Sequence, residues 1–141
     1  MKENSKVAEA IIALEKAALD RWYKGDPYGY LEMYDEQDLS YFDPAKDKRL
    51  DGHSNMKAFY DSIKGLVHSE KYEILNPLVQ VSKDTATLSY NLVAYVAKDV
   101  HRWNSSSVFR LNENNEWKVI HTHWSFVRPM DMTFDPDKQV V

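Results

Sequence analysis

The chain has 141 residues, enough for one domain of ordinary size to bury a core without cross-links. It contains no cysteine, which excludes a disulfide framework, a thiolate metal site and a thiol nucleophile. A formal net charge of -4 supplies no broad basic field, so nucleic acid is not an expected partner.

The opening Met1 to Lys6 carries no apolar stretch of the kind found in a secretory leader. No apolar run in the chain approaches the ~20 residues needed to cross a bilayer. A cytoplasmic location away from membranes is therefore expected, and the absence of cysteine fits a reducing compartment. Residues 6–24 read as a helix, because Val7, Ile11, Leu14, Ala18 and Trp22 recur at helical spacing. Gly25 stops it. Asp26 and Pro27 then read as an N-cap and a first helical residue, opening a short second helix through Tyr28, Tyr30, Leu31 and Tyr34.

Residues 39–43 form a short strand candidate ended by Pro44, which cannot donate to a ladder. A second short strand is expected at Arg49 to Gly52. Ser54 is the expected N-cap of a third helix carrying Met56, Phe59, Ile63 and Val67 on one face. Beyond residue 70 the apolar period changes to two. Strands are predicted at 71–81, 85–97, 100–111 and 117–127, with Asn76-Pro77 marking a bulge or an edge. In the second of these, Ala86, Leu88, Tyr90, Leu92, Ala94 and Val96 form an apolar face, so it is half-buried. The remainder, 130–141, reads as a polar, loosely held tail. A single domain over 1–141 is expected, with its core at about 6–129. Its class is α+β: three helices packed on a curved antiparallel sheet that leaves a conical hollow.

Several stretches carry a resemblance. They are Leu39-Ser40-Tyr41-Phe42-Asp43-Pro44, Asp51-Gly52 leading to Phe59-Tyr60, Ile74-Leu75-Asn76-Pro77, and Trp117 to Ser125 with its alternate histidines. In this order the chain resembles the nuclear-transport-factor-two-like superfamily, with its SnoaL-like cyclases and ketosteroid isomerases. Within it, the chain is most similar to the association (hub) domain of calcium/calmodulin-dependent protein kinase type two and its small bacterial relatives. The resemblance implies a cystatin-like α+β roll. It also implies a departure: kinase hubs carry carboxylate-binding arginines in the hollow, at positions that match Leu92, Val108 and Trp124 here. The hollow is therefore expected to be apolar and aromatic.

Trp22, Tyr30, Tyr34, Tyr41 and Phe59 are expected to line it from the first half of the chain. Tyr90, Leu92, Val108, Thr122 and Trp124 complete the expected lining. A plain aromatic core is the competing reading. Asp43 is a candidate base at the mouth, against its plainer reading as a turn residue before proline. His121 and His123 alternate on one strand and so share a face. As a functional pair they are a candidate general base or metal pair, but no third ligand is evident, so no metal and no cofactor is expected. Their plainer reading is a sheet face packed on a partner subunit. Trp103, Ser105, Ser107 and Phe109, with Val119, His121 and His123, are the expected homodimer face.

Two functions stand side by side. One is a small-molecule-binding domain for an apolar or aromatic ligand, extending to a cofactor-independent isomerase, dehydratase or cyclase. The other is a self-association module without catalysis.

Overall fold

The computed structural model describes residues 2–128. Helix α1 spans Lys2–Trp22 and buries Ile11, Ala18 and Leu19. Its inward stripe differs from the expected one at a single turn. Leu14 is 39% exposed, whereas Glu15 is only 1% exposed. Glu15 lies four residues from both Ile11 and Leu19, so the helical period carries it onto the core face despite its charge. Gly25, with φ +85°, ends this stretch in a left-handed conformation that glycine adopts without strain.

Helix α2 covers Tyr28–Met33 and is capped one residue later than expected. Pro27 occupies the cap, while the Asp26 carboxylate accepts the Tyr28 N–H at 3.0 Å. Strands β1 (Ser40–Phe42) and β2 (Leu50–Asp51) form a short antiparallel pair. Helix α3, His53–Ile63, follows Gly52 directly, so Ser54 sits inside the first turn and is not the cap. Four long strands complete the order: β3 (Lys71–Ser82), β4 (Thr85–Val96), β5 (Asp99–Leu111) and β6 (Trp117–Phe126). The expected tail at 130–141 and the core boundary at 129 lie outside the described residues.

The six strands form one sheet in the order β2-β1-β6-β5-β4-β3. From β3 to β6 it is the predicted antiparallel meander. The sheet as a whole is mixed, however, because β1 lies parallel to β6, with Tyr41 opposite Thr122. A parallel neighbour needs a long crossover, and β2, α3 and the strands β3 to β5 supply one. Two irregularities matter for the faces. Register shifts between Leu75 and Leu78 in β3, where Asn76 takes φ +56°, so the predicted bulge is present. A second shift falls between Val108 and Phe109 of β5, whose partners are His121 and Val119. Ile120 is thus left without a partner in that ladder. A one-residue insertion flips the side-chain parity of a strand. Val119 consequently faces inward while His121 faces outward, although both are odd-numbered.

Candidate functional site

The inner face of the sheet follows from register. Tyr90 stands opposite Ser105 and Leu92 opposite Trp103; Ser105 stands opposite Trp124 and Ser107 opposite Thr122. Against this face, α1, α2 and α3 leave a cavity of about 70 Å³. Among the described residues, eight aromatics, two leucines and one acid enclose it. Leu19, Trp22 and Tyr23 come from α1 and its end, Tyr30 and Tyr34 from α2 and its end, and Tyr60 from α3. Tyr41 and Asp43 reach it from β1 and the turn that follows, and Leu92, Trp103 and Trp124 from the sheet.

The rings hold one another edge to face. Trp22 meets Tyr30 at 5.9 Å and Tyr60 at 5.7 Å between centroids. Trp124 meets Tyr30, Tyr90 and Trp103 at 6.2, 6.2 and 6.0 Å. Edge-to-face pairs of this kind fix ring positions beyond what area burial provides. The Tyr34 and Tyr60 hydroxyls lie 2.8 Å apart, so one donates to the other. Burial pushes the Tyr34 phenol far above its usual range, and Tyr60 likewise, so both stay protonated.

Asp43 sits at the opening. Its Oδ2 accepts the Tyr41 hydroxyl at 2.5 Å and its Oδ1 accepts the Ala45 N–H at 2.7 Å. Trp22, Tyr23, Asp43 and Trp103 border both the inner cavity and a wider groove outside it, and so form the mouth.

Beneath the lining lies a group that sequence reasoning missed. Glu15 accepts hydroxyls from Tyr30 and Tyr90 on Oε2, each at 2.6 Å, while Oε1 has no partner among the described residues. Desolvation raises its pKa, and the two phenol donors only partly offset that. The available signal was its helical spacing from Ile11 and Leu19; polarity alone hid it. Tyr60, likewise missed, stands four residues from the buried Met56.

Six of the expected lining residues meet at the cavity: Trp22, Tyr30, Tyr34, Tyr41, Leu92 and Trp124. Phe59 instead borders the outer groove. Tyr90 stands behind Trp124 and spends its hydroxyl on Glu15. Thr122 is buried but shares a hydrogen bond with Ser107 at 2.8 Å. Val108, paired with Thr87 and His121, lies on the outer face and is no part of the hollow.

The expected dimer face divides in the same way. Ser105, Ser107, Phe109 and Val119 are buried within the chain on the inner face, so they are unavailable to a partner. Their parity in β5 was correctly shared, but the ladder to Tyr90 and Leu92 sets its direction, and the bulge reverses Val119. Trp103 stands at the mouth. His121 and His123 do lie on the outer face, beside Phe42, whose ring is 6.0 and 5.1 Å from theirs and 38% exposed. His121 Nδ1 is 2.6 Å from the Ser40 hydroxyl. Burial, then the neighbouring His123, lowers the His121 pKa. Among the described residues no group of three potential ligands is placed to hold a metal ion. Nor is any described helix long and apolar enough to cross a membrane.

Residues 7–127 match the family model of the calcium/calmodulin dependent protein kinase II association domain. Among solved structures, a candidate ketosteroid isomerase from Parabacteroides distasonis is similar at 37% identity and TM-score 0.81, covering 89% of this chain and 91% of that one. A nuclear-transport-factor-2-like protein from Pseudomonas putida shares the fold at 21% identity and TM-score 0.78, over 91% and 90% of the two chains. The S. rosetta kinase hub shares it at 24% identity and TM-score 0.68, over 84% and 95%. Among curated proteins, none matches the chain.

Proposed function

The chain belongs to the calcium/calmodulin-dependent protein kinase II association domain family, and on that premise we propose that it binds a small apolar or aromatic molecule in its hollow. The observation that carries this reading is the cavity itself: among the described residues, eight aromatics enclose it and a single carboxylate stands at its opening. Pockets of this composition take apolar bodies and orient them with a few polar groups. The likeness to a candidate ketosteroid isomerase at 37% identity agrees with it.

The same geometry supports proton-transfer chemistry without a cofactor, as in an isomerase or dehydratase. Asp43 is the acid bordering the cavity, and the Tyr41 hydroxyl fixes its orientation. Its role would be to accept a proton from a carbon beside an activating group. Native mass spectrometry of freshly purified protein tests the binding claim. A retained small molecule, lost in Trp124→Ala, is the expected result. Protein that is empty on purification and fails to bind small aromatic probes would count against it. With the retained molecule identified, Asp43→Asn should abolish any turnover of it.

A second reading is favoured by the outer face. Phe42, His121 and His123 present aromatic surface there, and the family is one of association domains. Self-association of two copies through this face would cover it, and it is compatible with an occupied hollow.

A further inference from the structure

We infer that the hollow is selective for a cation: its ligand carries an ammonium group, tertiary or quaternary, on a small apolar body. This rests on the ligand-binding reading above and names the class of molecule.

The mouth carries the argument. Trp22, Tyr23 and Trp103 supply three rings there, and Asp43 supplies the one acid. Aromatic faces attract a cation through their quadrupole, most strongly for tryptophan and when water is excluded. Among the described residues, no lysine, arginine or histidine lines the inner cavity. A carboxylate or phosphate ligand would therefore meet an acid and no counter-charge, which costs more in a desolvated site than in water.

Asp43 is also available. It forms no ion pair among the described residues; its hydrogen bonds come from the Tyr41 hydroxyl and the Ala45 N–H. A carboxylate offers about four acceptor sites, so capacity for a cation remains. Lys24, His68, Lys71 and His101 border only the outer groove, and Lys71 is engaged by Glu73 at 3.4 Å. Lys46, three residues from Asp43, places its ammonium 4.1 Å from the centroid of the Phe59 ring. The protein's own ammonium thus already rests on aromatic surface beside the groove. Glu15 lies deeper, held by two tyrosines and shielded from the cavity by its lining, so it does not compete with Asp43.

Three probes of one shape decide the matter on the full chain: choline, its neutral isostere 3,3-dimethylbutan-1-ol, and the anion 3,3-dimethylbutanoate. Binding is read from tryptophan fluorescence and from broadening of the probe methyl resonances. Choline should bind roughly tenfold or more tighter than the alcohol, and the anion most weakly. Asp43→Asn should cut that preference severalfold, leaving the share due to the rings, with the alcohol unaffected. Should the Asp43→Asn protein fail to fold, Trp103→Leu serves in its place and should weaken choline more than the alcohol. An alcohol that binds as tightly as choline overturns the inference while leaving the hollow a binding site. If none of the three binds and no molecule is retained on purification, the inference falls together with the binding reading.

Discussion

Glu15 offers the sharpest test of how this core is held. It is 1% exposed and takes two tyrosine hydroxyls at 2.6 Å on one oxygen. Glu15→Leu supplies an apolar side chain in the same place but leaves both hydroxyls buried without an acceptor. Each such orphaned group costs about 1–3 kcal/mol, so a loss of about 2–6 kcal/mol is expected. Adding Tyr30→Phe and Tyr90→Phe removes the orphans, and most of the loss should be recovered. Urea unfolding followed by circular dichroism measures all three proteins.

The same group makes stability depend on pH. Burial lifts the Glu15 carboxyl above the ordinary value of 4.5. Between that value and the raised one, the folded chain holds a proton that the unfolded chain has released. The contribution of Glu15 to stability is therefore fully present below 4.5 and is lost as pH rises towards the folded value. The slope reaches about 1.4 kcal/mol per pH unit at most. In Glu15→Gln this contribution to the slope disappears. The reasoning is refuted if Glu15→Leu alone matches the wild type. It is equally refuted if the triple variant is no more stable than the single one, or if wild type and Glu15→Gln lose stability in parallel as pH rises.

Two further outcomes are expected. Phe42→Asp, placed beside His121 and His123 on the outer face, should convert any self-associated form to monomer in native mass spectrometry. The unfolding midpoint of that monomer should shift by the equivalent of about 0.5 kcal/mol or less, since the site is a surface one; association that survives the change rules this face out. Gly25→Ala should destabilise by about 1–3 kcal/mol in thermal or urea unfolding. Its backbone is at φ +85°, and an added Cβ would stand 3.0 Å from His68 Cε1 and 3.1 Å from the Gly65 Cα. A neutral result would show that the turn relaxes.

Periodicity alone located the helices and long strands, because burial on one side imposes a repeat that a single sequence records. The α1 stripe and the alternation of Ala86 to Val96 are legible in this way, and the Asn76-Pro77 pair marked its bulge by residue type. The aromatic character of the hollow was legible by another route, the resemblance, and six of the residues expected to line it do so.

What tertiary structure decided is direction and pairing. Parity says that Ser105, Ser107 and Phe109 share a face, but only the ladder with Leu88, Tyr90 and Leu92 says that it is the inner one. The unpaired Ile120 in β6 cannot be read from alternation, yet it separates Val119 from His121. The parallel placement of β1 beside β6 joins segments some eighty residues apart, and no local preference encodes it. Glu15 reads as a solvent residue until two tyrosines from α2 and β4 supply its hydrogen bonds. Asp43 reads as a turn residue until Trp22, Tyr23 and Trp103 gather around it at the mouth. Local sequence sets which side chains share a face, whereas the environment that gives a buried acid or a lone carboxylate its chemistry is assembled from distant segments and exists only once they meet.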